Sequence, residues 1–131
     1  MALKTFALAG LALAISSPAA AHHSFSMFQT DKTVTVSGVV KEFEMTNPHV
    51  WIRLMAPDAT GKLVQWAFEM QSVNSATAAG WRPDTIKPGD KLSVDFHPLK
   101  DGTRGGQFIS AVLADGRRLG MAHLHPGVGE D

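Results

Sequence analysis

The chain has no cysteine and no tyrosine among its 131 residues. Without cysteine there can be no disulfide, thiolate metal site, iron–sulfur cluster or cysteine nucleophile. Many small secreted domains are held by disulfides; this one must rest on apolar packing. No sign of charge dominates either: 12 basic residues face 12 acidic ones. A nucleic-acid partner calls for a basic face, and a surface of anionic lipid calls for a basic run; neither is present. Long apolar runs are also missing. Crossing about 30 Å of hydrocarbon takes roughly 20 apolar residues, and no stretch reaches that length. The sequence further lacks an internal repeat, a low-complexity tract, a Gly-x-Ser-x-Gly elbow, a phosphate-binding glycine loop and a paired-carboxylate motif.

The N-terminus carries a clear signature. Lys4 supplies a positive start, Phe6 to Ile15 is apolar, Ser16-Ser17-Pro18 breaks the run, and Ala19-Ala20-Ala21 offers small residues for cleavage. This pattern predicts a secretory signal peptide over 1–21, hence a periplasmic or secreted protein with no membrane attachment after cleavage. The mature chain would begin at His22-His23-Ser24-Phe25 and hold 110 residues, with 11 basic against 12 acidic side chains once Lys4 is gone. That length suffices for one domain with a modest core. The expected division is an N-terminal segment over 22–32, a β-barrel domain over 33–118 and a loose tail over 119–131.

Alternating apolar positions set out the elements. Thr33 to Glu44 reads as a long strand in which Val34 and Val36 share one phase, while Val39 and Phe43 share the other after Gly38. That change of phase predicts a bulge or bend at the glycine. Val50, Ile52 and Leu54 alternate in a second strand, and Val64, Trp66 and Phe68 in a third. Between them, Pro57-Asp58-Ala59-Thr60-Gly61 is turn chemistry. Ser72 to Ala79 reads as a short helix, with Ser72 as N-cap and Gly80 just past its end. Leu92, Val94 and Phe96 mark a fourth strand, and Gln107 to Ala114 a fifth. The fold class is therefore all-β with one short helix. The order β-β-β-α-β-β is that of a small five-stranded OB-like barrel; a β-sandwich-like or open meander arrangement is the competitor.

His22-His23-Ser24-Phe25, Asn47-Pro48-His49, Trp66-Ala67-Phe68-Glu69, Gly80-Trp81, Lys87-Pro88-Gly89-Asp90 and Asp115-Gly116-Arg117-Arg118, in that order, resemble a family of short exported bacterial proteins classed as a domain of unknown function. The resemblance implies export and a single small β domain. It supplies no activity, so the chemistry rests on the residues.

Six histidines in a cysteine-free chain point to a metal ion. If His22 is the mature N-terminus, its amine and ring Nδ1 can chelate one ion, and a third nitrogen from His49 would complete a T-shaped set. Nitrogen ligands in a tetragonal arrangement favour copper. Antiparallel pairing of strands two and three would bring His49 and Glu69 to the same sheet end. Met45 and Met70 sit near that rim, and thioethers suit Cu(I). His23 is either a further ligand or a solvent-facing neighbour. Cleavage after Ala20 would instead create a square-planar chelate from Ala21-His22-His23, in which His23 supplies the ring. His123 and His125 could hold a weaker second ion.

Each residue also has a plainer reading. In it His49 bonds a backbone carbonyl, Glu69 pairs with Arg53 or Lys62, and the methionines fill the core, as methionines commonly do. His97 reads as exposed and without a role. Trp66 reads as core, and Trp51 as exposed.

The leading expectation is a metal-binding module for copper capture, buffering or delivery, its partners the metal ion and a second periplasmic protein. The alternative is a metal-free structural or ligand-binding barrel. An oxygen-activating copper enzyme is the third reading, weakened by the small surface of so short a chain.

Overall fold

The computed structural model describes residues 27–121. The expected signal peptide, His22, His23, His123 and His125 lie outside the described residues. Six strands and one helix follow in order: β1 (Val34–Glu44), β2 (Trp51–Pro57), β3 (Leu63–Glu69), α1 (Val73–Ala78), β4 (Lys91–Pro98), β5 (Gly105–Leu113) and β6 (Arg118–Gly120).

Antiparallel pairs join β1 to β2, β2 to β3, β1 to β4 and β4 to β5. A short parallel pairing closes the circuit, with Ala67, Phe68 and Glu69 of β3 opposite Gly105, Gly106 and Gln107 of β5. The result is a closed five-stranded barrel in the cyclic order β1-β2-β3-β5-β4, the OB-like arrangement expected from the sequence. Closure depends on close backbone approach. A Cβ on Gly106 would overlap the His97 carbonyl oxygen and crowd the Phe96 ring.

The inward residues are those the alternation marks. Ile52, Leu54, Phe68, Leu92, Val94 and Phe96 are all buried. Trp66 is half-buried, and its ring lies against Phe68 and Phe96 at centroid distances of 6.4 and 5.6 Å. Ser72 caps α1 by accepting from the Ser75 N–H at 3.2 Å, and Gly80 follows with a φ of +101°. Trp81, just beyond, is fully buried between Phe43 and Phe108, at 5.7 and 5.6 Å.

Two sequence expectations need correction. The phase change in β1 falls between Val40 and Glu42, where the register with β2 shifts. Val40 is buried and Val39 exposed, so the inward phase continues through Gly38. Gly38 serves another purpose: an added Cβ would overlap the Met55 carbonyl oxygen where β1 leaves β4 and joins β2. The sheet also runs past residue 118, because β6 pairs with β5 through Leu119 and Gly120. The Trp81 indole N–H donates to the Gly120 carbonyl at 2.9 Å and holds that strand in place.

The N-terminal segment is tied down as well. Phe28 bridges Leu99, the Gln29 N–H donates to the Pro98 carbonyl, and the Lys100 N–H donates to the Met27 carbonyl. His97, expected to have no role, is half-buried and places Nδ1 2.8 Å from the Lys32 carbonyl oxygen.

Candidate metal centre

The turn between β1 and β2 carries the Asn-Pro-His segment, with a cis Asn47–Pro48 peptide. Neighbouring elements fix it on two sides. The Asn47 side-chain oxygen accepts from the Val73 N–H at 3.0 Å, which joins the turn to the first residue of α1. On the other side, the Val50 N–H donates to the Gln71 carbonyl and the Met70 N–H donates to the Val50 carbonyl. These bonds extend the β2–β3 ladder beyond the Trp51–Glu69 pair, and they set His49 beside the end of β3.

His49 Nδ1 stands 3.1 Å from the Met70 carbonyl oxygen and 3.4 Å from Glu69 Oε1. A carbonyl can only accept a hydrogen bond, so Nδ1 carries the proton and donates. In the neutral ring, Nε2 is then the lone-pair nitrogen. The His49 side chain is 33% exposed, against 9% for Glu69. Glu69 therefore sits behind the ring, on the Nδ1 side. Arg53, a possible sequence partner for Glu69, is engaged instead by Glu42 at 3.2 Å and Glu44 at 2.7 Å.

The structure thus brings together His49, Glu69 and Met70, but Met70 contributes its backbone. Its side chain is buried in the core, and Met45 packs half-buried against the same core. Among the described residues there is no group of three or more His, Cys, Asp or Glu side chains arranged to hold a metal ion.

Closure of the barrel adds neighbours that the sequence did not reveal. Gln107 lies opposite both Glu69 of β3 and His97 of β4. With Trp51 opposite Glu69, an outward row runs His97, Gln107, Glu69, Trp51 across four strands. Trp51 on this row is half-buried. No signal within one strand reports this row, because it depends on the β3–β5 closure.

A separate open groove of about 450 Å³ lies over the middle of β1, the start of β4 and the end of β5, lined by Ser37, Val39, Lys91, Ser93, Val112 and Ala114 among others. Near it, Asp95 accepts from Thr35 at 2.6 Å, Arg118 at 3.0 Å and Ser110 at 3.3 Å. These bonds, the Thr35 hydroxyl foremost, hold the Asp95 carboxyl below the usual carboxylate range. No helix among the described residues is long and apolar enough to cross a membrane.

No curated protein and no solved structure matches the chain. A family model matches residues 11–108, which takes in the Asn-Pro-His turn, Glu69 and the barrel as far as the first part of β5. The chain belongs to that family, a family of unknown function (DUF6152).

Proposed function

We propose that this protein is a periplasmic metal-binding module that captures, buffers or delivers copper through a site built on His22 and His49. The observation that carries the reading is the His49 ring, with Nδ1 3.1 Å from the Met70 carbonyl oxygen and beside Glu69. A histidine that ligates metal through one nitrogen commonly donates its other N–H to a carbonyl or carboxylate. In this reading Nε2 faces the metal. A mature N-terminal His22 adds its amine and ring nitrogen, and three nitrogens suit copper. His23 and Met45 are the lesser candidates of the ligand set.

The test is copper affinity of the exported protein and of its H22A and H49A variants. Each substitution is expected to weaken binding about 100-fold or more, since loss of an outer partner alone costs 10–100-fold. The copper-free melting temperature should change little, because His49 lies outside the core. Wild-type affinity in both variants would overturn the site.

The open groove favours a second reading, a metal-free barrel that acts through protein or small-ligand contacts. Thermal shift separates the two. Copper at 100 times its Kd stabilises a binding protein by about 2.7 kcal/mol, and the metal-free barrel would show no shift.

A further inference from the structure

Glu69 lies on the outward row of β3, yet it is only 7% exposed and stands beside the His49 ring. We propose that Glu69 is a positioning residue: with the Met70 carbonyl it holds His49 as the Nδ1–H tautomer, so that Nε2 is the nitrogen presented to the metal, and it is not itself a ligand. The metal part of this role rests on His49 being a ligand, as proposed above.

The chemistry of the acceptors gives the argument its direction. The Met70 carbonyl accepts and cannot donate, and the same holds for a carboxylate oxygen. Facing Nδ1 at 3.1 and 3.4 Å, they admit a ring that carries its proton there and exclude a ring whose lone pair points at them. The turn cannot easily rotate the ring away, because Asn47 is bonded to α1 and Val50 to Gln71. An amide at position 69 differs in one respect: it can donate as well as accept. E69Q therefore keeps the shape and leaves the Met70 carbonyl alone to oppose the other tautomer. When a metal takes Nε2, the carboxylate behind the ring is an outer partner, of the kind whose loss costs 10–100-fold in metal affinity.

The experiment combines nitrogen NMR of the metal-free exported protein with copper titration of wild type and E69Q. In the wild type, the His49 shifts should report a protonated Nδ1 and a lone pair on Nε2. In E69Q a measurable fraction of the Nε2–H tautomer should appear. Copper affinity should fall 10–100-fold, and the electron paramagnetic resonance spectrum should keep the same nitrogen ligand set. A wild-type ring protonated at Nε2 would overturn the proposal. So would E69Q with wild-type tautomer and affinity, or a changed ligand set in E69Q, which would make Glu69 a ligand. If wild type binds no copper, the functional reading falls, and the tautomer comparison still decides whether Glu69 positions the ring. Should E69Q not fold, E69D is the second variant. Its carboxylate is drawn back by one methylene, so the proposal requires a 69-dependent rise in the Nε2–H tautomer, and an unchanged tautomer would overturn it.

Discussion

His49 and Asp95 show two ways in which one polar side chain is committed by its neighbours. His49 is faced at Nδ1 by a backbone carbonyl, that of Met70, and by the Glu69 carboxyl. Asp95 is set by side chains from three other strands, Thr35 of β1, Ser110 of β5 and Arg118 of β6. Because these bonds lower its folded pKa, Asp95 stabilises the protein at pH values above the unfolded carboxylate range, near 4. That contribution is lost as pH falls through the lower folded value. The stability difference between wild type and D95N, measured by urea unfolding, should be constant from pH 5.5 to 7. Below about pH 4 it should shrink. A difference that grows as the pH falls would contradict this assignment.

At the scale of elements, β6 is the strand that most needs outside support. It has three residues, Arg118–Gly120, and pairs with β5 alone. Arg118 donates to Asp95 and Ser110, Leu119 packs against the core, and the Gly120 carbonyl accepts from the Trp81 indole N–H. W81F keeps an aromatic ring against Phe43 and Phe108 but removes that N–H. Losing one hydrogen bond of this kind costs about 1 kcal/mol, to which the smaller ring adds a packing loss. Amide hydrogen exchange should accelerate at Leu119, whose N–H faces β5, more than at β2 or β4. Uniform acceleration across the barrel would show that the bond stabilises the whole core and not β6 in particular. This strand was not legible in the sequence, since Arg-Leu-Gly is too short to show alternation and its anchor is a backbone carbonyl. The bulge of β1 was misplaced for a related reason. Val39 and Val40 are the same residue type, so composition cannot say which one faces inward, and the register with β2 decides. The helix and the other strands were legible because each writes its own signal: Ser72 and Gly80 at the helix ends, and alternation at Ile52 and Leu54, at Val94 and Phe96.

For the whole molecule, barrel closure determines what the candidate site contains. The sequence suggested that His49 and Glu69 share one sheet end, because an antiparallel pair of strands two and three requires it. It could not show the third side. The parallel contact of β3 with β5 brings Gln107 to Glu69 and, through Gln107, His97 of β4 into the same row. Nor could it show that Met70 acts through its carbonyl, since every residue has one. The central proposal is copper binding by an N-terminus at His22, as signal-peptide cleavage would create it, together with His49. Its most direct test is the intact mass, under native conditions, of protein purified from the exported fraction without added metal or chelator. The account predicts a chain that begins at His22 and carries one copper ion. A chain that begins at His22, carries no metal and takes up none when copper is added would contradict it.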